Sequence, residues 1–263
     1  MDDFEGKWGL ITGASSGIGA EFCRQLAGRG MHLVLAARRQ DRLEELAGEL
    51  QKAHGIRTEI ISCDLGDPTQ PAKLLQRIAD LNITLDLLVN NAGFGIVETL
   101  AENDINRTLE MIRLNIGALT ELTYRVLPGM IERKRGGIIN LASLAAFQPV
   151  AYMSAYAASK AYVLHFSEAL WAETRAHGVT VMALCPGFTK TEFFDVAGMN
   201  GWYTKLAQTA PQVVRAGLKG LRKRRAYVVS GWLNYFQSLG PRLARRREVV
   251  NISALMMKPK EEK

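Results

Sequence analysis

The sequence predicts an α/β protein with a doubly wound, mainly parallel sheet of seven strands and helices on both faces. Short apolar runs alternate with amphipathic helical stretches along most of the 263 residues. Apolar runs of this length, separated by helices of about ten or more residues, are typical of parallel strands buried on both faces. Right-handed crossovers then wind the chain outward from the middle of the sheet in both directions.

The predicted strands are, in chain order, KWGLITG, MHLVLAA, IRTEIIS, TLDLLVNNAG, GGIINLAS, VTVMALCPG and AYVVSG. The helical stretches between them include GIGAEFCRQLAGRG, QDRLEELAGELQKAHG and a long one over residues 104–134. No Pro/Ser-rich linker or compositional break divides the chain. We therefore expect one domain over residues 1–263.

The composition is that of an ordinary globular protein, with 48% hydrophobic and 22% charged residues. Cys23, Cys63 and Cys185 each lie in apolar sequence without metal-type spacing, which indicates core positions in a reducing compartment. The acidic start lacks the features of a secretory signal, and no apolar run reaches the ~18–20 residues of a membrane span. We expect a cytoplasmic protein.

The formal net charge of +7 comes mainly from two stretches near the C-terminus, RAGLKGLRKRRAY and GPRLARRREVV. No zinc spacing, aromatic RNA-binding signature or repeated basic stripe accompanies them, so we expect no specific nucleic-acid partner. The four histidines also lack metal-ligand spacing. No metal is expected.

The stretch LITGASSGIG follows the first predicted strand and opens the first helix. Gly13 permits a tight turn, Gly17 lets the backbone approach a pyrophosphate, and Gly19 lets the helix pack closely on the sheet. Free N–H groups and the positive end of the helix dipole then face the anion. In this strand–helix context the glycines predict a dinucleotide site of the Rossmann type. The cofactor contacts expected here are Gly13, Ser15, Ser16, Gly17, Ile18 and Gly19.

The glycine spacing G-x-x-x-G-x-G resembles the nucleotide loop of the short-chain dehydrogenase/reductase family. Further motifs of that family follow in order: NNAG at 90–93, Asn115, Ser143, the pair Tyr156 and Lys160, and PG at 186–187. The resemblance extends from the first strand to about Thr191 and is loose beyond it. It implies a compact, single-domain NAD(P)-dependent oxidoreductase that transfers hydride between nicotinamide and a ketone, aldehyde or secondary alcohol.

The end of the second strand predicts which dinucleotide is used. An NAD-binding protein normally has an acidic residue there to accept from the ribose 2′-hydroxyl. This chain has Ala36 and Ala37 followed by Arg38 and Arg39, and arginine suits a 2′-phosphate. We therefore expect NADP(H) to be favoured over NAD(H), with Ser15 adding a hydroxyl.

The family resemblance implies the remaining cofactor contacts. Asp64 should accept from the adenine amine, Asn90 should lie along the adenosine ribose, and Lys160 should hold the nicotinamide ribose. The backbone of Phe188 and the hydroxyl of Thr191 should meet the carboxamide and phosphates. The full implied set is Asp64, Leu65, Asn90, Asn91, Ala92, Gly93, Tyr156, Lys160, Pro186, Gly187, Phe188, Thr189 and Thr191.

Tyr156 and Lys160 lie one helical turn apart, so that an ammonium group lies beneath a phenol. The ordinary pKa of tyrosine is ~10, and we expect Lys160 to lower it by stabilising the phenolate. Ser143, just past the fifth strand, can share the developing oxyanion. Asn115 lies in a long helix, where asparagine is unfavourable and could simply mark a kink. The resemblance assigns it to a water-mediated proton relay that reaches Lys160.

Residues 188–210 are aromatic and weakly periodic, which favours a lid over a pocket and leaves an irregular loop as the alternative. The predicted pocket is apolar with one polar end, suited to a hydrophobic carbonyl compound or its alcohol. Its expected residues are Leu144, Ala145, Phe147, Val150, Met153, Phe193, Phe194 and Trp202. A non-catalytic NADP(H)-binding regulatory protein is the alternative function, and the complete catalytic set argues against it.

The C-terminal extension, residues 231–263, mixes aromatic and apolar residues with arginines. It predicts either helices that cover the pocket or a partner subunit, or an amphipathic element that binds anionic membrane weakly. We favour the covering helices. The family resemblance implies a homodimer or homotetramer formed through the two long helices, whose outer faces are apolar.

Overall fold

A computed structural model describes residues 4–197 and 207–258 of the chain. The strands of the main sheet are β1 (Trp8–Thr12), β2 (His32–Ala37), β3 (Thr58–Ser62), β4 (Leu85–Asn90), β5 (Gly136–Leu141), β6 (Val179–Cys185) and β9 (Tyr227–Val229). Two further strands, β7 (Thr189–Lys190) and β8 (Gln208–Thr209), form a separate pair.

All seven main strands are parallel and lie in the order β3-β2-β1-β4-β5-β6-β9. Each predicted strand stretch contains one of them, so the predicted doubly wound sheet is confirmed. The winding direction reverses between β1 and β4, and ligands of open α/β sheets bind beyond the strand ends at such a reversal.

The helices are α1 (Gly17–Ala27), α2 (Gln40–His54), α3 (Gln70–Asp80), α4 (Ile105–Ile112), α5 (Leu119–Glu132), α6 (Ser154–Thr174), α7 (Phe193–Ala197), α8 (Ala210–Arg222), α9 (Trp232–Leu243) and α10 (Arg246–Met257). None of the described helices is long and apolar enough to cross a membrane.

Helices cover both faces of the sheet because alternate strand residues point to opposite sides. Ile11 of β1 packs into a core cluster with residues of α1, α2 and α8. Its neighbour Leu10 packs into a second cluster with residues of α3 and α5. The three cysteines are buried and free, as predicted for small core residues.

The long helix predicted over residues 104–134 is interrupted in its middle. Between α4 and α5 the chain forms a π-helical segment, Arg113–Ala118, which contains Asn115. π-helical segments are rare in proteins, but those that do occur are often found at functional sites. Such a segment shifts one turn of side chains relative to a regular helix. The irregularity that asparagine suggested here is therefore present.

Candidate active site

A cavity of about 1270 Å³ opens at the carboxyl ends of the strands. The glycine loop lines one end, Ser143, Tyr156 and Lys160 lie along it, and α9 and α10 line the other end. Of the described residues predicted to contact cofactor, all but Gly19 and Asn90 line this cavity.

The glycine loop has the backbone geometry that its sequence predicts. Gly13 and Gly17 have φ of +65° and +56°, values that side chains other than glycine rarely allow. A Cβ on Gly19 would lie 2.2 Å from the Gly13 carbonyl oxygen, so only glycine fits. Asn91 fixes the loop by donating from Nδ2 to the carbonyl oxygens of Thr12 (2.9 Å) and Gly13 (3.2 Å).

Arg39 lies beside the loop and holds two of its hydroxyl groups. Its Nη2 donates to Ser15 Oγ at 3.1 Å and to Ser16 Oγ at 2.9 Å, and its Nη1 donates to Glu192 Oε2 at 2.9 Å. Arg42 also donates to Glu192, and these two arginines lower the pKa of that carboxyl, Arg42 the more. Glu192 joins the start of α2 to the segment before α7, a link that no local sequence pattern predicts.

Arg38 is placed differently from Arg39. Its Nη1 lies 4.0 Å from an Asp64 carboxylate oxygen and 3.7 Å from Glu110, and all three side chains are largely exposed. The two carboxylates compete with a 2′-phosphate for Arg38. Arg39, and not Arg38, contacts the serine hydroxyls of the glycine loop, which is the predicted phosphate end.

The side chain of Asn90 does not reach the cleft, so the predicted contact of this residue with the adenosine ribose stays a prediction for its backbone alone. Asn90 is 2% exposed, and its Nδ2 donates to Asn140 Oδ1 at 2.9 Å and Thr123 Oγ1 at 3.0 Å. Side chains alternate along a strand, so the last residue of β4 points into the protein while its neighbour Asn91 faces the glycine loop. The NNAG motif contributes to the cleft only from Asn91 onward.

Tyr156 and Lys160 lie together on α6, and both are almost completely buried. Ser143 follows β5, and its hydroxyl lies near enough to Tyr156 to lower the pKa of the phenol. Lys160 Nζ donates to the Leu141 carbonyl oxygen at 2.7 Å and lies 5.7 Å from the centre of the Tyr156 ring. The predicted triad is thus assembled at one point of the cleft.

The net shift of the Tyr156 pKa is upward and not downward as predicted, because burial outweighs the groups that stabilise the phenolate. Burial raises the pKa of Tyr156 to about 12, and the nearby Ser143 hydroxyl only partly opposes it. Burial also lowers the pKa of Lys160 to about 8. Tyr156 therefore remains a neutral phenol at physiological pH, the form that donates a proton to a carbonyl oxygen.

Asn115 lies beneath the site and does not line the cavity. Its Nδ2 donates to the Phe94 carbonyl oxygen (3.0 Å) and to Ser159 Oγ (3.1 Å), and its Oδ1 accepts from Phe94 N at 3.2 Å. A Cβ on Gly93 would lie 2.6 Å from Asn115 Oδ1 and 3.6 Å from Lys160 Nζ. Asn115 therefore positions the Gly93–Phe94 backbone against Lys160. The water-mediated relay stays a prediction.

Beyond Tyr156 the cavity is apolar. The Phe193 ring lies 5.7 Å from the Tyr156 ring, and Phe194 packs on Phe188 with ring centres 6.2 Å apart. The predicted substrate residues that line the cavity are Leu144, Ala145, Phe147, Val150, Met153, Phe193 and Phe194. Trp202, and with it residues 198–206 of the predicted lid, lies outside the described residues.

Sequence reasoning did not assign individual cavity residues to the C-terminal extension. Asn234 of α9 lies against the PG turn, since a Cβ on Gly187 would be 2.5 Å from its Oδ1. Ser253 Oγ of α10 accepts from the Ala151 backbone N–H at 3.2 Å. The main apolar lining residues of this part are Trp232, Leu233, Ile252, Met256 and Met257. The favoured alternative, helices over the pocket, agrees with these contacts.

Residues 7–199 match the family model for short chain dehydrogenases. The chain belongs to the short-chain dehydrogenase family. It is 35% identical to a very-long-chain 3-oxoacyl-CoA reductase of Anas platyrhynchos over 198 residues, which are 73% of this chain and 62% of that protein. It is 31% identical to the inactive hydroxysteroid dehydrogenase-like protein 1 of Homo sapiens over 191 residues, 71% of this chain and 57% of that one.

Among solved structures, the chain resembles a short-chain dehydrogenase from Sphingobium yanoikuyae in complex with NADPH. The TM-score is 0.81, the sequence identity is 31%, and 98% of each chain is covered. The present chain spans about six tenths of the length of the Anas and Bos taurus reductases that it matches.

The residues of this short-chain dehydrogenase fit a nicotinamide dinucleotide. The glycine loop lines the cavity from Gly13 to Ile18, and α1 begins within it at Gly17. A helix N-terminus at a glycine loop suits a pyrophosphate. The opposite end of the cleft, at Tyr156, is where the nicotinamide would lie.

Proposed function

We propose that this protein is an NADPH-dependent reductase that converts the keto group of a long apolar substrate of the 3-oxoacyl thioester class to a hydroxyl group. One observation carries the proposal: the Ser143–Tyr156–Lys160 site lies where a dinucleotide cleft meets an apolar cavity. The names of the related very-long-chain 3-oxoacyl-CoA reductases support this substrate class over a generic ketone.

The cofactor preference is supported by charge. No carboxylate belongs to the end of β2, and Arg39 already binds Ser15 and Ser16 at the place where a 2′-phosphate is expected. Arginine binds phosphate through paired N–H donors. The NADPH in the related Sphingobium structure is consistent with this preference.

In the proposed reaction, reduced nicotinamide, when bound, would supply the hydride that adds to the carbonyl carbon. The π electrons of the C=O bond move to oxygen, and that oxygen takes the proton of the Tyr156 hydroxyl. Ser143 donates a hydrogen bond to the same oxygen. The buried ammonium of Lys160 stabilises the phenolate that remains, because opposite charges attract strongly where water is excluded.

A non-catalytic dinucleotide-binding protein is the second candidate, since one human relative is described as inactive. In this chain Ser143, Tyr156 and Lys160 line the same cavity, and Lys160 Nζ lies 5.7 Å from the centre of the Tyr156 ring. This arrangement favours catalysis.

The test is a substrate panel followed by the loss of nicotinamide absorbance. The panel contains a long-chain 3-oxoacyl-CoA, its short-chain analogue, a bulky diaryl ketone and a steroid, each with NADPH and NADH. We expect kcat/KM to be highest for the long 3-oxoacyl thioester with NADPH. Turnover of the ketone or steroid alone would contradict the substrate class, and NADPH binding without any turnover would favour the non-catalytic candidate.

A further inference from the structure

Helices α9 and α10 each expose large apolar side chains, and both helices also line the cavity. Trp232, Phe236, Leu239 and Leu243 are spaced by four, three and four residues, which places them along one side of α9. Trp232 is 71%, Phe236 63% and Leu243 90% exposed. On α10, Ile252, Leu255 and Met256 are also exposed, Leu255 by 84%. We refer to these seven residues as the apolar face.

Exposed aromatic residues cluster at the start of α9. The rings of Trp232 and Phe236 meet edge to face with centres 6.3 Å apart, and Tyr235 meets Phe236 at 6.0 Å. These contacts hold the rings at the surface rather than in the core. Tryptophan and tyrosine favour the boundary between water and lipid, because each combines an apolar ring with a polar hydrogen-bonding group.

The charge beside the apolar face is strongly positive. Residues 231–258 contain five cationic side chains, Arg242, Arg245, Arg246, Arg247 and Lys258, and one carboxylate, Glu248. The three consecutive arginines lie at the junction of α9 and α10. Arg242 and these three form no ion pair with any residue in the described ranges. They are available to an external anion.

The apolar face continues into the cavity. Trp232, Ile252 and Met256 are exposed and also line the cavity that leads to Tyr156. Three residues of the apolar face therefore also belong to the lining of the cavity.

The positive charge of this surface distinguishes between two possible binding partners, a second copy of the chain and an anionic membrane. A symmetric contact with a second copy of the chain would bring the same patch against itself and set arginines against arginines, with only Glu248 to compensate. An anionic bilayer offers hydrocarbon for the aromatic and aliphatic side chains and phosphate groups for the arginines. We propose that α9 and α10 bind the surface of an anionic membrane, with the mouth of the cavity facing the lipid.

The proposal concerns binding to lipid and does not depend on the proposed reaction. Its consequence for that reaction is that a long apolar substrate can pass from the bilayer into the cavity without crossing water.

The test is flotation of the full chain with vesicles of phosphatidylcholine alone, and with vesicles in which about a third of the lipid is phosphatidylglycerol. We expect flotation only with the anionic vesicles, and its loss at about 1 M salt, where the Debye length falls to ~3 Å. Absence of flotation with anionic vesicles at low salt would overturn the proposal.

Two variants test the two parts of the surface. Arg245→Gln, Arg246→Gln and Arg247→Gln together should abolish flotation, and Phe236→Ser, Leu243→Ser and Leu255→Ser together should reduce it severalfold. The matched charge control, with Lys52→Gln, Lys73→Gln and Arg77→Gln, removes three exposed cations from α2 and α3 and should float like the wild type. If both variants lose flotation to the same extent, overall charge and not this surface binds the lipid. If both float like the wild type, the arginines take no part. Either result overturns the proposal.

A measurement of mass separates the membrane from a second copy. Light scattering should give the same mass for the wild type and for the variant with serine at Phe236, Leu243 and Leu255. If these substitutions dissociate an oligomer while flotation stays unchanged, the apolar face is a subunit interface and the proposal is wrong.

Discussion

At Tyr156, burial and the neighbouring Ser143 hydroxyl act on the phenol in opposite directions. Burial raises its pKa and the hydroxyl lowers it, with burial the larger effect. The sequence correctly predicted that the two side chains would meet. It could not predict the balance, because desolvation depends on what surrounds the ring, here Phe193 and Met153, and not on spacing along α6.

Tyr156→Phe should remove the proton donor and leave the shape of the cleft unchanged. We expect kcat to fall by about 10²–10⁴-fold, the usual contribution of a general acid. The Kd of NADPH, measured by quenching of its fluorescence, should stay within about twofold of the wild type. A variant that retains full turnover would show that another group protonates the substrate.

The pH dependence of reduction should follow Lys160, since its lowered pKa of about 8 lies within the working range while that of Tyr156 does not. The ammonium form is present below that pKa and is lost as the pH rises through it. We therefore expect kcat/KM for NADPH, which reports the free enzyme, to decline above pH 8. Lys160→Met should be slow at every pH and lack this decline. A decline that persists unchanged in Lys160→Met belongs to another group.

At the scale of elements, the link from α2 to the α7 segment joins the two sides of the cofactor cleft. Glu192 accepts from Arg39 and Arg42, and Arg39 also holds the serines of the glycine loop. A 2′-phosphate would compete with Glu192 for Arg39. We therefore expect the guanidinium group of Arg39 to couple cofactor binding to the position of the α7 segment.

Glu192→Gln should strengthen NADPH binding by about two- to fivefold, because exposed ion pairs contribute ~0.2–1 kcal/mol. NADH binding should not change, since NADH carries no 2′-phosphate. Isothermal titration with both cofactors measures this. In the same assay, Arg39→Ala should weaken NADPH binding more than Arg38→Ala does. The reverse order would show that Arg38 leaves Asp64 and Glu110 to bind the phosphate.

The sequence predicted the elements around β1 and β5 well because strand periodicity and glycine geometry are local properties. The split of residues 104–134 into α4, a π-helical segment and α5 was only hinted at by Asn115, since the segment is fixed by contacts with Phe94 and Ser159 far along the chain. The same limit applies to Asn90. The NNAG motif predicted that this residue lies at the cleft, but side chains alternate along β4 and that of Asn90 points into the protein.

At the scale of the whole molecule, exposed residues of α4, α5 and α6 form a candidate subunit interface for the predicted homo-oligomer. Leu109 of α4, Tyr124 of α5 and Tyr162 of α6 are exposed, Tyr124 by 75%. Tyr162 also stacks on Phe166 with ring centres 5.5 Å apart. The number of subunits stays a prediction. The sequence shows that the helix faces are apolar but does not show which second subunit packs on them.

We expect the wild-type protein to be a dimer or tetramer and the double variant with Tyr124→Lys and Tyr162→Lys to be a monomer. Like charges buried on both sides of a symmetric interface repel each other. Light scattering coupled to size exclusion measures the mass. Tyr235→Lys on α9 is the matched control and should leave the mass unchanged. A shift with Tyr235→Lys alone would place the interface on the C-terminal helices.

The order of the sheet also governs how the chain reaches its native state. β1 pairs with both β2 and β4, so its second partner lies more than seventy residues downstream, from Trp8 to Leu85. Pairings so distant in sequence form slowly, because a long loop must close before any contact repays it. A nascent chain that ends before β6 leaves the apolar edge of β5 without a neighbour, which exposes it to aggregation on the ribosome.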